Sequence, residues 1–180
     1  MIKRKWNIFW AWEHEEEEQW LADMEADGWH FKKFRLFFYE FEKGEPNEYQ
    51  YRLELLPHLP SHAESAKYIE FMEDMGVEMV DSYMRWAYFR KPYDGVPFEL
   101  YSDLESRIKQ LRNISAFLWP LLILTIANII NCFNIINLGA PFAGVPVLMI
   151  TTALMVGIIR GLRKIKRKID RLEKERSIRE

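Results

Sequence analysis

Hydrophobic residues are concentrated in one long stretch near the C-terminal end of the chain. Residues 114–159 contain no Asp, Glu, Lys, Arg or His. A helix needs about 20 apolar residues to cross a bilayer, so this stretch is long enough for two crossings joined by a turn at Asn137–Pro141. Because the backbone must satisfy its own hydrogen bonds inside a bilayer, the pattern predicts a transmembrane helical hairpin over 114–159.

The residues before the hairpin show shorter patterns, in which strand-like alternation and helix-like periodicity take turns. The predicted strands cover 5–12, 29–43, 49–55 and 77–90. The predicted helices cover 13–27 and 61–75. Each helix is followed by a glycine, Gly28 or Gly76, which favours a helix end. A change of phase near Lys33–Phe34 predicts a β-bulge in the second strand.

The same pattern recurs at an offset of 48 residues, which places Leu21 and Gly28 on Ile69 and Gly76. A βαβ–βαβ order with an internal repeat predicts an α+β fold, a ferredoxin-like βαββαβ sandwich. In such a fold, two helices cover one face of a four-stranded antiparallel sheet. We assign this domain to residues 1–92.

Two helical segments flank the hairpin. Residues 93–113 predict a linker and a juxtamembrane helix, and residues 160–180 predict a basic tail helix. Apolar residues recur at helical spacing in both flanking regions, at Leu100, Leu104, Ile108 and Leu111 and at Ile158, Leu162, Ile165, Ile169 and Leu172. Either the two stripes pack against each other as an antiparallel stalk, or one of them forms a dimer seam.

Charge is distributed unevenly and predicts an orientation in the membrane. Residues 1–113 contain 15 Lys and Arg against 23 Asp and Glu, whereas residues 160–180 contain 10 against 4. Basic residues flank both ends of the hairpin, so the positive-inside rule places the N- and C-termini in the cytoplasm. A single cysteine, Cys132, cannot form an intrachain disulfide and fits a reducing compartment. We therefore expect a multi-pass protein of the cell's inner (plasma) membrane.

Several motifs, found in a fixed order, resemble one known family. They are Lys5–Glu13 (KWNIFWAWE), Glu18–His30 (EQWLADMEADGWH), Tyr39–Pro46 (YEFEKGEP) and Tyr49–Leu55 (YQYRLEL). Over residues 3–95 the chain resembles DUF2812, a group of uncharacterised bacterial proteins, mostly from Firmicutes, that often carry membrane helices. The resemblance implies no enzyme activity, cofactor or catalytic residue. It implies a link to transcriptional or stress signalling, since members are often encoded near PadR-type transcriptional regulators.

The residue types that carry chemistry form no recognisable catalytic or metal-binding pattern. The four histidines are predicted to be solvated surface residues, because zinc needs about four convergent ligands and no cysteine pair exists. His58 and His62 lie four apart, but Pro60 and the helix start keep them off one helical face. The acidic run Glu15–Glu18 is predicted to be a solvated first helical turn. We expect no catalytic residue, cofactor or metal, and no nucleic-acid partner, because the N-terminal domain is acidic.

Aromatic and amide side chains are the remaining candidates. The tryptophans either fill the core of the small domain or line an open face that binds an amphipathic ligand or a partner. The candidate face comprises Trp6, Trp10, Trp12, Trp29 and Trp86. Asn128, Asn131 and Asn134 recur every three residues in the apolar stretch and are expected to make helix–helix contacts in the membrane. A polar translocation path is the alternative for these asparagines.

The sequence therefore favours a membrane-anchored cytoplasmic domain that acts by binding, as a sensor or an interaction module whose ligand is unknown. The expected partners are the lipid bilayer and either a second copy of the chain or another membrane protein. One alternative is an accessory subunit of a membrane transporter. Another alternative is an enzyme, which would need a cleft containing a carboxylate or a histidine with a strongly shifted pKa.

Overall fold

The structure is a computed structural model that describes residues 1–98 and 104–179. The chain divides into two units, Met1–Ser102 and Asp103–Glu180. Strands and two helices make up the first unit, and two long helices make up the second. Leu100, which belongs to the predicted juxtamembrane stripe, lies outside the described residues.

The strands of the first unit form two antiparallel three-stranded sheets. In chain order the elements are β1 (Ile2–Trp6), α1 (His14–Ala26), β2 (Trp29–Arg35), β3 (Phe38–Lys43), β4 (Tyr49–Leu55), α2 (Ala63–Asp74), β5 (Glu78–Tyr83) and β6 (Trp86–Pro92). The strand orders are β1-β3-β2 and β4-β6-β5. The predicted α+β class is confirmed, but two three-stranded sheets stand in place of the single four-stranded sheet of a βαββαβ sandwich.

The difference comes from two hairpins, each of which is predicted from its sequence as a single strand. The segment predicted as one strand over 29–43 turns back at Leu36 and Phe37, whose φ angles are 36° and 74°. The equivalent turn in the second half contains Met84, with a φ of 55°. Tight hairpin turns with positive φ usually contain Gly, Asn or Asp. Because these turns use bulkier residues, the sequence carried no turn signal.

The two halves of the first unit share one plan, β-α-β-β. The predicted bulge is present as a register shift between Phe31 and Lys33, and the second half has the same shift between Met79 and Asp81. Strands β2 and β5, which are edge strands of the two sheets, contact each other. The backbone N–H of Phe34 donates to Asp81 Oδ2 at 2.7 Å across this contact. The halves therefore form one body.

The main core lies between α1 and strands from both halves. Its buried members are Leu21, Met24, Phe31, Phe34, Tyr39, Phe41, Tyr51, Leu53 and Tyr88. A second cluster packs around α2, with members Leu56, Ile69, Met72, Val77, Ala87, Phe89 and Phe98. Helix α1 contacts both β2 and β4, so both sheets fix its position.

The second unit is a hairpin of two helices, α3 (Leu104–Asn137) and α4 (Pro141–Arg179), which pack along each other. Gly139 lies in the connection with a φ of +89°. Outside the apolar stretch, Arg112 Nη2 lies 2.7 Å from Glu173 Oε1. The flanking stripes therefore pack within one chain, as in the antiparallel stalk.

Both helices of the second unit are long and apolar enough to cross a membrane. Only 11% and 17% of their most apolar segments are buried. The helices approach closely at Gly144, where an added Cβ would lie 2.6 Å from Ile136 Cγ1. Small residues at such positions allow helix backbones to pack closely.

Candidate functional site

A cavity of about 160 Å³ lies in the first unit beside the start of α1. The β1–α1 loop, the first turns of α1 and strands of both sheets surround it. Its aromatic lining residues are Phe9, Trp10, Phe34, Phe37, Tyr39, Tyr83, Trp86 and Tyr88. Its other lining residues are Asn7, Ala11, His14 and Glu17. The walls are therefore mainly aromatic, with a few polar groups.

Glu17 is the acidic residue of this cavity, and it is buried. It is only 7% exposed, whereas Glu15 and Glu16 are exposed. The prediction of a solvated run over Glu15–Glu18 is therefore wrong at Glu17, and the Glu18 side chain is also largely buried, at 14% exposure. The reason is helical periodicity: Glu17 precedes the buried Leu21 by four residues and so lies on the apolar face of α1.

Two tyrosines from different sheets hold the Glu17 carboxylate. The Tyr39 hydroxyl on β3 donates to Glu17 Oε1 at 2.7 Å, and the Tyr88 hydroxyl on β6 donates to the same oxygen at 2.8 Å. Burial raises the pKa of Glu17, and the two hydrogen bonds oppose that shift because they favour the ionised form. Burial has the larger effect, so Glu17 holds its proton more readily than a solvated carboxyl does.

Two of the five candidate tryptophans line the cavity, and a third supports one of them. Trp10 and Trp86 lie in the cavity wall. The Trp12 ring stacks on Trp10, with ring centroids 5.2 Å apart and planes inclined by 5°. The His14 ring centroid lies 5.9 Å from that of Trp86. This wall therefore consists of rings that contact one another.

The structure does not bring the other two candidate tryptophans to the cavity. Trp6 lies on β1 and is 63% exposed. Trp29 begins β2, and the ammonium groups of Lys3 and Lys43 lie 4.4 and 4.9 Å from its ring centroid. These are cation–π contacts. The five tryptophans do not share one face.

A second buried carboxyl, that of Glu25, lies near the other end of α1 and is surrounded by donors. Glu25 Oε1 accepts from the backbone N–H groups of Glu48 and Tyr49, both at 3.1 Å, and lies 2.8 Å from His30 Nδ1. Glu25 Oε2 accepts from the Tyr51 hydroxyl at 3.0 Å. This carboxyl joins α1 to β2 and β4, which is a structural role.

Two of the four histidines differ from their prediction as solvated residues. His14 and His30 are buried, with 6% and 8% exposure. His58 and His62 are exposed, and their potential ligand atoms lie within 4.8 Å of each other and of a Glu64 carboxylate oxygen. The β4–α2 loop and the first turn of α2 bring these three residues together, although the two histidines share no helical face. Three such ligands resemble an open zinc site, although His58 Nε2 already pairs with Glu64 at 3.3 Å.

The three asparagines of the apolar stretch lie on α3, in the second unit. Asn128, Asn131 and Asn134 are all exposed. Asn128 Oδ1 accepts a hydrogen bond from the Cys132 thiol at 3.4 Å, and this contact stays within one helix. Contact of these amides with another membrane helix stays a prediction.

Comparison with known proteins finds one family whose model covers most of the first unit, which contains the cavity. The family model described as "Protein of unknown function (DUF2812)" matches residues 13–123, more than half of the chain. This chain belongs to the DUF2812 family. The predicted resemblance is thereby confirmed, and the DUF2812 match continues beyond the first unit into α3. No curated protein and no solved structure is significantly similar to the chain.

Proposed function

We propose that the first unit of this DUF2812 chain binds a small amphipathic molecule and that the α3–α4 hairpin anchors it in a membrane. The observation that carries the proposal is the aromatic cavity with one buried carboxyl, Glu17. Ligand sites are mostly apolar pockets with a few placed polar groups. A cavity of about 150 Å³ accepts a benzene molecule, so a cavity of this size suits a single-ring compound.

Membrane anchoring draws its support from the second unit. The apolar segments of α3 and α4 are long enough to cross a bilayer and are mostly exposed. Basic residues flank both apolar segments and favour a cytoplasmic location for both termini, in a cell's inner (plasma) membrane. A sensor held at that membrane is the role we propose, in line with the signalling link that the family resemblance implied.

The binding experiment uses the full-length protein in dodecyl maltoside and two single-ring probes, benzyl alcohol and benzylamine. Tryptophan fluorescence should change saturably, because Trp10 and Trp86 line the cavity. Ala11→Phe fills the cavity and should abolish the response. Ala22→Phe, at an exposed position on α1, is the matched control and should retain it. A response that is absent for both probes, or equal in the two variants, would overturn the proposal.

An acid–base enzyme is the second candidate, because the cavity contains a carboxyl with a raised pKa. His14 and Glu17 both line it, and perturbed groups in clefts are common at active sites. Mass spectrometry of compounds incubated with the protein separates the candidates. Recovery of an unchanged bound compound favours binding, and its conversion, lost in Glu17→Gln, favours an enzyme.

A partner-binding role for the hairpin is a third candidate, supported by the exposure of three asparagines on α3. Amides on an apolar helix stabilise helix association by about 0.6–2 kcal/mol each. The partner is either a second copy of the chain or a larger membrane protein such as a transporter. Asn131→Leu with Asn134→Leu should release a co-purifying partner, and retention of that partner would contradict this role.

A further inference from the structure

We propose that the cavity selects an organic cation, namely an ammonium group on a compact apolar body that places its charge beside Glu17. This inference rests on the proposed binding function and specifies its ligand class. It starts from one arrangement in the structure. A buried carboxyl lies in a cavity whose walls are aromatic rings.

The first step concerns the hydrogen bonds that Glu17 already makes. Tyr39 and Tyr88 both donate to Oε1. A carboxylate accepts at both of its oxygens and at about four positions in all, so the Glu17 carboxylate has acceptor capacity beyond these two bonds. An ammonium group carries only donors and is therefore matched to that capacity.

The second step concerns charge. No lysine or arginine is among the described residues that line the cavity, and the histidine among them, His14, has its ring beside that of Trp86. A buried carboxylate is unfavourable unless a positive charge accompanies it. A bound cation supplies that charge, whereas a bound anion would lie beside a second negative group.

The third step concerns the walls. The faces of aromatic rings carry negative partial charge and attract cations within about 6 Å. Trp10, Trp86, Tyr83, Phe34 and Phe37 all line the cavity. The same rings can also pack against an apolar group. The cavity therefore offers contacts for both the charged part and the apolar part of an amphipathic cation.

The test compares three probes that share one ring and differ in charge, which are benzylamine, benzyl alcohol and benzoate. Dissociation constants are measured by tryptophan fluorescence on the full-length protein in dodecyl maltoside at neutral pH. Benzylamine should bind at least about tenfold more tightly than benzyl alcohol, because its hydrogen bond to the carboxylate is charged at both ends. Benzoate should bind more weakly than both.

Two variants assign the preference to Glu17. Glu17→Gln keeps an acceptor oxygen for the two tyrosines and should bring benzylamine down to the affinity of benzyl alcohol. Glu18→Gln removes the neighbouring carboxyl, which accepts from the Leu53 backbone N–H at 2.7 Å, and should leave the preference intact. Partial loss of folding in Glu17→Gln would weaken all three probes together, whereas the proposal requires a loss confined to benzylamine.

The outcomes separate this inference from the function on which it rests. Equal affinity for benzylamine and benzyl alcohol would overturn the cation class and leave the binding site in place. A preference that survives Glu17→Gln would show that another group recognises the charge, which also overturns the inference. Saturable binding of none of the three probes would overturn the binding function itself.

Discussion

The two ends of α1 each bury a carboxyl group, and they do so in different ways. Glu25 accepts through both oxygens, from two backbone N–H groups and a tyrosine, with a histidine ring nitrogen also in contact. Glu17 accepts from two tyrosines at one oxygen and lines a cavity. Burial of a carboxyl therefore does not by itself indicate a functional site. Acceptor capacity beside a cavity is the more informative feature.

The second half of the first unit shows that the βαββ plan requires neither carboxyl. At an offset of 48, the counterparts of Glu17 and Glu25 are Ser65 and Glu73. Ser65 is buried, and its hydroxyl donates to the His58 carbonyl at 3.1 Å, whereas Glu73 is exposed. The structure describes α2 over its whole length, and α2 buries no carboxyl. The second half therefore forms the same elements without one. The two buried carboxyls are therefore special to α1, and both accept hydrogen bonds from residues of the second half.

The largest effect on the free energy of unfolding is expected from removing the Glu25 carboxyl. Glu25→Ala would leave two backbone N–H groups and a tyrosine hydroxyl without their acceptor. We expect the free energy of unfolding to fall by about 3–5 kcal/mol. Urea denaturation of the full-length protein in dodecyl maltoside, followed by tryptophan fluorescence, measures this loss.

The exposed counterpart is the matched control for that variant. Glu73→Ala should change the free energy of unfolding by less than about 0.5 kcal/mol, because its side chain is exposed on α2. Similar losses in the two variants would show that the donors around Glu25 contribute little, and the comparison between the two helix ends would fail.

The next largest effect is a pH dependence of stability, which arises from Glu17 and Glu18 in the first turns of α1. Burial raises the pKa of Glu18 from 4.5 to about 7, and burial also raises the pKa of Glu17. Protonation of a group with a raised pKa favours the folded state. The contribution of these two groups to stability should therefore be greatest below about pH 4.5 and be lost as pH rises to about 7, by about 3 kcal/mol for Glu18. Urea denaturation across this pH range measures the fall.

Two glutamine variants test the origin of this fall. Glu18→Gln should flatten the pH profile, because an amide does not ionise, and its oxygen still accepts from the Leu53 N–H. Glu16→Gln, at an exposed position two residues earlier, should keep the wild-type profile. A profile of the same steepness in both variants would mean that the buried start of α1 does not cause it.

Much of the local structure was predictable because it depends on short patterns. The strand predicted over 49–55 has those bounds in the structure, and both helices end just before Gly28 and Gly76. The hairpin at Leu36 and Phe37 was not predictable, since no residue there favours positive φ. The Phe37 carbonyl accepts from the Asn7 backbone N–H at 3.0 Å, a contact between distant residues that no local pattern indicates.

The candidate site was predictable only in part. Trp10 and Trp86 were among the candidates, and the spacing of Glu17 from Leu21 carried a signal of burial that the acidic run obscured. The hydrogen bond of Tyr88 to Glu17 spans 71 residues. It follows from the packing of two sheets, whereas the sequence pattern predicts a single sheet.

A third prediction compares the glycines that end the two helices of the first unit. Gly28 and Gly76 have φ angles of +72° and +77°, so alanine is strained at both. An added Cβ at Gly28 would lie 2.8 Å from the Gly44 carbonyl oxygen, whereas nothing lies within 4 Å at Gly76. Gly28→Ala should lower the free energy of unfolding by about 2 kcal/mol and Gly76→Ala by about 1 kcal/mol. Equal losses in urea denaturation would show that the Glu25 end is no more tightly packed than its counterpart.

The smallest effect is expected at the tyrosines of the cavity. Tyr88→Phe removes one of two donors to Glu17 and should cost about 1 kcal/mol. The bond from Tyr88 lowers the pKa of Glu17, so its removal should raise that pKa further. Glu17 then ionises at higher pH, so the fall in stability that its ionisation causes moves to higher pH when urea denaturation is measured across the pH range. Tyr68→Phe, which removes a hydroxyl bonded to Glu54 at 2.6 Å in the second half, should leave this part of the profile unchanged. If both variants gave the wild-type profile, the Tyr88 hydroxyl would not influence the ionisation of Glu17. The difference between the two ends of α1 would then rest only on the donors around Glu25.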